Sequence, residues 1–280
     1  MLEAINTWDD YRAKIREFDA VLEHSKAVSA AMAGEVHAAP HVRYGDQIFN
    51  KLMSHCIALR SLAADPQRRT GRELWDLPSL AALARCVVEA HDAFEYVAGH
   101  DVSPDERTFR LLLWELHDAH RRLKMTDAAD ARMEALGAAV TQLKTHLDAH
   151  AFMASLPPLL QAELRNRMAR GEPPAFHLGQ RQRCALSGVD ADWHNAVTMQ
   201  LSQHAHTLPS SVHEIASFRG GTPQALRLLV MPVVFALPFL ARTVQAMDTL
   251  TPWRPPQPPS RTARTMALWR AVAQQGAPAA

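Results

Sequence analysis

Apolar residues recur along this chain at intervals of three and four, which is the spacing of one face of an α-helix. The first such stripe follows Thr7, a residue type that often caps helices. Further stripes and their flanking turn signals predict helices over 41–64, 77–98, 104–125, 127–150, 157–170, 191–206, 223–248 and 262–274. No alternating run between turn signals is typical of a strand. The predicted fold class is therefore all-α, an irregular antiparallel helical bundle with no sheet.

Polar segments and short connections mark the interruptions between these helices. Residues 65–78 predict a connection, and residues 171–188 predict a loop or one short helix. Only Gly99 to Val102 separate the third helix from the capping box that begins at Ser103. Because so short a connection usually joins antiparallel neighbours, the third and fourth helices are predicted to form the centre of the bundle.

The end of the chain differs in composition from the rest. Five prolines fall within residues 251–259, and this density predicts an extended linker. We therefore expect a single helical-bundle domain over 1–250. Residues 251–280 are expected to form a proline-rich linker and a short C-terminal helix or flexible tail.

One apolar stretch has the composition of a membrane helix. Residues 228–241 form fourteen uncharged positions between Arg227 and Arg242, whereas a spanning helix needs about 20. The N-terminal residues contain no apolar run of the kind found in signal peptides. We expect a buried core helix, a cytoplasmic protein and no membrane partner.

Composition excludes several classes of protein. Thirty basic and twenty-nine acidic residues give a formal charge of +1, so no global field marks a nucleic-acid or membrane binder. Cys56, Cys86 and Cys184 lie far apart, which excludes a disulfide scaffold and a cysteine-based zinc site of the usual spacing. Nothing in the sequence predicts a cofactor. Fifteen histidines are the one unusual count.

The third predicted helix carries the densest polar set, which consists of Arg85, Glu89, Asp92 and Tyr96. Its members follow one another at intervals of four, three and four, so they share one helix face. Helical bundles bind metals through inward glutamates and Glu-x-x-His pairs, and the next helix contributes Glu115, His117 and His120. Neither Glu89 nor Glu115 has a histidine three residues later, so no metal site is predicted.

An arginine followed by a histidine after four to six residues is also the motif of helical ribonucleases of the HEPN type. In that motif the pair polarises the scissile phosphate and moves a proton. Five residues separate Arg85 from His91, although Cys86 stands where a polar residue usually follows the arginine. Arg85, Glu89 and His91 are the catalytic candidates of this interpretation. Arg85→Ala or His91→Ala should then abolish RNA degradation.

Two arginine-rich segments offer a surface for nucleic acid. The first segment contains Arg165, Arg167, Arg170, Arg181 and Arg183. The second is the C-terminal tail after Asp248, where arginines alternate with Trp253 and Trp269. Arginine and aromatic side chains together bind single strands by charge and stacking. For a chain of net charge +1 a solvated loop and a docking tail are favoured, so nucleic acid is not the expected partner.

Three short motifs form a set: Leu83-Ala-Arg85-Cys-Val-Val-Glu89, Phe109-Arg110 through Trp114, and Leu201-Ser202-Gln203-His204-Ala205-His206. The set resembles an uncharacterised bacterial family, domain-of-unknown-function family 5677, over roughly residues 45–245. Met199 and Gln200 stand where an aromatic residue often precedes Leu-Ser in that family. The resemblance implies a helical fold and a pocket lined by Arg85, Glu89, Ser202 and His206. It implies no known reaction.

We therefore expect a bacterial cytosolic helical protein that binds a small molecule or a protein partner through these four residues. The alternative is a HEPN-like or metal-dependent nuclease of stress or phage defence. Arg85 and Glu89 are four residues apart on one helix, as are Ser202 and His206 on another. Polar pairs on facing helices satisfy each other best, so the two pairs are expected to form a buried network. Loss of Glu89 would then cost about 3–5 kcal/mol.

Overall fold

The computed structural model describes residues 2–35, 37, 39–63, 76–127, 131–217, 222–250 and 256–276. Within these ranges the chain is all-α, with twelve α-helices and no strand, so the predicted fold class is confirmed. In chain order the helices are α1 (Trp8–Met32), α2 (Pro40–Leu62), α3 (Leu77–Phe94), α4 (Pro104–Met125), α5 (Arg132–Asp148), α6 (Ala151–Ser155), α7 (Pro158–Ala169), α8 (Gln180–Ser187), α9 (Ala191–Ala205), α10 (Pro209–Ser217), α11 (Pro223–Leu250) and α12 (Ser260–Gln275). A short 3-10 turn at Leu2–Ala4 precedes α1, and a π-helical turn at Glu95–Gly99 follows α3.

Side-chain caps begin several helices where the sequence predicts them. Thr7 Oγ1 accepts the backbone N–H of Asp10 at 3.2 Å, and the Asp10 carboxylate accepts the Thr7 N–H at 2.9 Å. The caps of α3, α4, α9 and α11 are Asp76, Ser103, Asp190 and Thr222. At α4 the predicted capping box is half formed. The Ser103 side chain caps the helix, but Glu106 pairs with Arg110 instead of returning to Ser103.

The main core is organised around α3 and α11. Helix α3 packs against α2, α9 and α11, and α11 also contacts α1, α2 and α12. By length and composition α11 is able to cross a membrane, with a mean hydropathy of 1.8 in its most apolar stretch. In the structure 78% of that stretch is buried inside the bundle, including Pro232 and Pro238. The helix therefore has the position of a core helix, which is the interpretation that the sequence favours.

A second, smaller apolar cluster lies among α4, α5, α6 and α7. Phe109, Leu113 and Leu116 of α4 are buried in it. The prediction that the third and fourth helices form the centre of the bundle is therefore correct for α3 and wrong for α4, because the second cluster takes most of the apolar face of α4. Helix α4 meets α3 mainly at the π-helical turn.

A few local predictions also differ from the structure. Thr126 ends α4, because its N–H bonds to the Arg122 carbonyl, and it does not cap α5. Two short helices, α6 and α10, lie where the sequence predicts none. The connection expected at 65–78 lies largely outside the described residues, and the linker expected at 251–259 lies partly outside them.

The last helix, α12, is packed onto the bundle. Met266, Trp269 and Ala273 join the main core, and Trp269 is only 1% exposed. The Trp269 indole N–H donates to the Glu17 carboxylate of α1 at 2.7 Å, and Lys14 lies 5.3 Å from the centroid of the indole ring. The C-terminal helix that the sequence predicts is thus present, but it is docked on the bundle and is not a flexible tail.

Trp269→Ala should lower the free energy of unfolding by about 3–5 kcal/mol, because a buried aromatic side chain and its contacts are lost. Equilibrium urea unfolding measures this change. Leu268→Ala is the matched control, since Leu268 is the preceding residue but is 57% exposed. The control should change stability by less than about 0.5 kcal/mol. Equal losses in the two variants would show that the buried face of α12 does not hold it to the bundle.

Candidate functional site

The end of α3 departs from regular helical geometry. Residues Glu95–Gly99 form a π-helical turn in which the His100 N–H bonds to the Glu95 carbonyl at 2.8 Å. Such turns are rare and are frequently found at functional sites. The last turn of a helix leaves carbonyl groups without intrahelical partners, so these groups need donors from elsewhere.

Two arginines from the beginning of α4 supply the donors. The acceptors of Arg107 are the carbonyls of Val97, Ala98 and His100. Arg110 donates to the Tyr96 carbonyl at 3.2 Å and lies over the Tyr96 ring, 4.8 Å from its centroid. Arg110 is completely buried, and the Glu106 carboxylate accepts its Nε–H at 2.9 Å. A buried ion pair from α4 therefore holds the end of α3.

Arg110 also fixes the tautomer of His100. A guanidinium nitrogen of Arg110 lies 2.8 Å from His100 Nδ1. Since arginine only donates hydrogen bonds, Nδ1 is the acceptor and the neutral ring carries its proton on Nε2. Burial, with the charge of Arg110 as a second cause, lowers the pKa of His100 to about 3. His100 Nε2 is buried and has no hydrogen-bond partner among the described residues.

A cleft of about 530 Å³ opens beside the π-helical turn. Its walls come from this turn, the end of α8, the second half of α11 and α12. The residues on which its chemistry depends are Glu95, His100, Asp101, Arg242, Gln245 and Arg270. A cavity of this volume accommodates a small organic molecule. We call it the π-turn cleft.

Glu95 is the buried acid of the π-turn cleft. It is 9% exposed, and its carboxyl oxygens accept no hydrogen bond from the described residues. Burial raises the pKa of Glu95 to about 7, although Arg242 opposes the shift and Asp92 adds to it. The carboxyl group lies against Gly99, where a Cβ atom would be 2.5 Å from Glu95 Oε2. The missing side chain of Gly99 therefore provides the space that this carboxyl group occupies.

Arg242 of α11 and Arg270 of α12 line the same cleft. Arg242 donates to the Ser187 carbonyl at the end of α8 and to the Arg270 carbonyl at 3.4 Å. Arg270 donates to Gln245 Oε1 at 2.9 Å. The Nε group of each arginine is buried and has no hydrogen-bond partner in the described structure. His100 Nε2 is a third such donor in a residue that lines the cleft, whereas buried polar groups are normally paired. Neither arginine forms an ion pair among the described residues.

The sequence-predicted pair of Arg85 and Glu89 forms, but it does not line the π-turn cleft. Arg85 Nη2 lies 2.9 Å from Glu89 Oε1. The Glu89 side chain is 60% exposed, so a buried network is not formed at this position. Glu89 instead lines a separate groove of about 410 Å³ beside α2, together with Lys51 and Trp114. As an exposed pair, Arg85 and Glu89 contribute about 0.3–0.5 kcal/mol, not several.

The other two predicted ligand-binding residues are on α9 and just after it. Ser202 is half-buried, and His206 is exposed because α9 ends at Ala205. In the described part of the chain no hydrogen bond or ion pair links either residue to Arg85 or Glu89. A pocket formed by all four residues stays a prediction, and the observed contacts do not add support to it.

His91, the third catalytic candidate, lies in the main core. It is 1% exposed, and its Nδ1 is 2.9 Å from Thr243 Oγ1. The Thr243 hydroxyl donates to the Phe239 carbonyl, so the His91 N–H donates to the hydroxyl oxygen. Burial lowers the pKa of His91 to about 3. The assignment of His91 as a catalytic residue is corrected accordingly, because a proton-transfer residue has to reach its substrate.

Asp92, from the same predicted polar face, forms a contact that the sequence does not reveal. Its carboxylate lies 2.9 Å from Nε2 of His194 on α9. Nδ1 of His194 lies 2.6 Å from the Gln180 side-chain amide. Because both ring nitrogens are occupied, this pair connects α3 to α9 and leaves no group free for a ligand.

The first arginine-rich segment forms local contacts. Arg165, Arg167 and Arg181 form ion pairs, and Arg183 lies over an aromatic ring. Their partners are Asp148, Glu163, Asp192 and Phe176. In α12 the buried Trp269 has no exposed face on which a base could stack. These contacts are typical of a solvated loop and a docked helix.

Among the residues that the structure describes, no three His, Cys, Asp or Glu side chains converge as a metal site would require. No protein-family model, curated protein or solved structure matches the chain. The resemblance to family 5677 therefore stays a prediction. The chemistry of the site has to be inferred from its own geometry.

None of the ionisable residues of the π-turn cleft is among the site residues predicted from the sequence; they are Glu95, His100, Asp101, Arg242 and Arg270. One signal is present in the sequence: a glutamate and a histidine flank a small-residue helix end, Glu95-Tyr-Val-Ala-Gly99-His100. Another is Arg242, one of three charged residues in the otherwise apolar α11. Neither signal identifies its spatial neighbours, so a structure is needed to join them.

The lowered pKa of His91 predicts that acid destabilises the fold. In the unfolded chain His91 binds a proton below its ordinary pKa of 6.5, whereas in the folded chain it stays neutral down to about pH 3. Between these two values, one such histidine lowers the free energy of unfolding by about 1.4 kcal/mol for each unit by which the pH falls. His91→Asn keeps an amide donor for Thr243, so urea unfolding between pH 7 and pH 5 should show a shallower dependence. His146→Asn, at an exposed position, should leave the slope unchanged.

The raised pKa of Glu95 predicts the opposite dependence of stability on pH. Its pKa rises from 4.5 to about 7 on folding, so the unfolded chain loses its proton first and stability falls as the pH rises between these values. Glu95→Gln removes this loss. Its free energy of unfolding should exceed that of the wild type by about 1.4 kcal/mol more for each pH unit between these two values, and the difference should stay constant above pH 7. Urea unfolding at several pH values measures the difference. The exposed Glu134→Gln control should show none, and a pH-independent gain in Glu95→Gln would contradict a raised pKa.

Proposed function

We propose that this protein is a ligand-binding module whose small-molecule ligand occupies the π-turn cleft. The observation that supports this function is that two arginines without an ion pair among the described residues, Arg242 and Arg270, line one cavity together with the buried acid Glu95. A hydrogen bond to a charged group contributes about 1.5–3 kcal/mol. A ligand that accepts hydrogen bonds from these arginines would gain free energy of this kind on binding.

The other concave surface near a predicted site residue lacks this advantage. In the groove beside α2 the charged side chains of Lys51 and Glu89 are exposed to water. Water already satisfies exposed charges, so a ligand that replaced it would gain little. The π-turn cleft is therefore the better candidate for a ligand site.

The nuclease alternative has weaker support. Arg85 is engaged with Glu89, and His91 lies in the core against Thr243, so the two motif residues do not present a common surface. We retain a cytoplasmic location as part of the proposal, because the three cysteines, all free, are compatible with a reducing compartment. The burial of α11 favours the expected absence of a membrane partner.

A thermal-shift screen tests the proposed function. The wild-type protein is mixed with neutral, cationic and anionic metabolites, and ligands of the cleft should raise Tm because they bind the folded state. Arg270→Gln removes one of the two guanidinium groups that line the cleft and should weaken these shifts. Arg264→Gln is the matched control, since Arg264 is an exposed arginine in the same helix, and it should respond like the wild type.

The outcomes separate the two functions. Shifts of equal size in Arg270→Gln and the wild type would place the ligand outside the cleft, and a screen without any stabilising compound would contradict the proposal. Incubation with RNA addresses the alternative. Degradation that Arg85→Ala abolishes would favour a nuclease.

A further inference from the structure

We infer that the ligand of the π-turn cleft is an organic acid whose carboxylate lies between the protonated Glu95 carboxyl group and the Arg242 guanidinium. This inference rests on the proposed function, because it names the chemical class of the ligand for the same cleft. Both residues line the cleft, yet they form no ion pair with each other in the described structure. A ligand oxygen placed between them would accept a hydrogen bond from each.

The arginines of the cleft determine the sign of the ligand charge. Arg242 and Arg270 both line the cleft, and a guanidinium group only donates hydrogen bonds. Their acceptors among the described residues are uncharged carbonyl and amide oxygens, and neither arginine forms an ion pair there. An anionic ligand would supply the charged acceptor that these two groups lack.

Charge balance favours a singly charged over a doubly charged ligand. Arg242 and Arg270 contribute two positive charges to the lining, and Asp101 of the lining and Asp248, which interacts with Arg270, offset them. A monocarboxylate therefore disturbs this balance less than a phosphate dianion does. Arginine binds the planar carboxylate group well, through charge-assisted hydrogen bonds.

The rest of the cleft sets the remaining properties of this acid. A volume of about 530 Å³ exceeds that of a carboxylate group alone. Gln245, Thr249 and Gln274 place amide and hydroxyl groups along the walls of α11 and α12. Hydroxyl or amide substituents on the ligand would match these groups.

Glu95 has to hold a proton when such a ligand binds. Two carboxylates that share a poorly solvated site cannot both be ionised at low cost, so one of them is protonated. Burial already raises the pKa of Glu95 to about 7, which makes Glu95 the group that keeps the proton. Its O–H donates to the ligand carboxylate. Above pH 7 the proton comes from the solvent, and binding therefore takes up a proton.

Few other groups near Glu95 change their protonation state in the same pH range. The other ionisable groups that surround it are Asp92 on α3, His100 and Asp101 after the turn, Arg242 on α11 and Arg270 on α12. The α8 wall contributes only Leu186 and Ser187. His100 stays neutral because its pKa is about 3, the hydrogen bond from His194 lowers the pKa of Asp92, and the arginines stay charged. A proton taken up between pH 6 and pH 8 is therefore assigned to Glu95.

Isothermal titration calorimetry on the full chain tests the inference. The carboxylate probes are lactate, gluconate and benzoate, with inorganic phosphate and glycerol for comparison. At least one carboxylate should bind about tenfold more weakly at pH 8 than at pH 6, which is the change expected when one proton enters with the ligand. Titrations in two buffers of different ionisation enthalpy should show an uptake close to one proton at pH 8. Phosphate and glycerol should bind more weakly than that carboxylate.

Variants identify the groups that are responsible. Glu95→Gln retains a donor, so it should still bind the carboxylate but lose both the pH dependence and the proton uptake. Arg242→Gln should weaken binding about tenfold or more, because a hydrogen bond to a charged group is lost. Arg242 also contacts the Ser187 carbonyl, so Arg270→Gln serves as a second variant if the first does not fold. The exposed Arg264→Gln should bind like the wild type.

Several results would overturn the inference. These are equal affinity at pH 6 and pH 8, no proton uptake, stronger binding of phosphate than of any carboxylate, or a thermal screen in which only neutral or cationic compounds act. In each case the proposed function survives if Arg270→Gln weakens the binding that is observed. Only the absence of binding by every chemical class would remove both proposals.

Discussion

The buried guanidinium of Arg110 joins the smaller apolar cluster to the main core. Its helix, α4, belongs mostly to the smaller apolar cluster, whereas the Tyr96 carbonyl that it binds is at the end of α3 in the main core. The charge is stable there because Glu106 pairs with it and the Tyr96 ring lies beneath it. Breaking a buried pair on one side leaves an uncompensated charge, at a cost of about 3–5 kcal/mol. Together with Arg107, this contact holds α4 against the end of α3.

The π-helical turn and the cleft follow from the same interaction. Arg107 and Arg110 provide the donors for carbonyls that the irregular end of α3 leaves open, so the turn forms without unpaired acceptors. The turn places Glu95 against Gly99 and presents His100 with its proton on Nε2. Helices α11 and α12 then bring arginines to the opposite wall. The buried ion pair of Arg110 and Glu106 therefore supports the π-helical turn, and the turn forms one wall of the polar cleft.

Local sequence signals predict the helices well and their packing less well. Thr7 and Asp190 mark the beginnings of α1 and α9 because a cap involves residues only three positions away. An apolar stripe shows that one face of α4 is buried, but it does not show against which cluster. Arg85 and Glu89 pair as their spacing predicts, yet periodicity fixes only their relative angle on the helix and not their exposure. The π-helical turn depends on arginines of another helix, and no pattern within α3 reveals it.

The histidines show why a buried polar group is not by itself a functional one. His194 uses both ring nitrogens, one with Asp92 and one with Gln180, and so connects helices. His177 is similarly held, because its Nδ1 lies 2.8 Å from the Tyr96 hydroxyl, which also accepts its backbone N–H. His91 has an unpartnered Nε2, but it lies in the apolar core against Phe239 and lines neither the π-turn cleft nor the groove beside α2.

His100 differs from these histidines in its neighbours and not in its own burial. His100 lines a cavity that is also lined by two arginines without an ion pair among the described residues and by a buried acid with a pKa of about 7. An isolated unpaired donor is a tolerable cost of folding, but charged groups that line one cavity are typical of a binding site. Two guanidinium groups beside one cavity, with no described carboxylate paired to either, favour a negatively charged group from outside the chain.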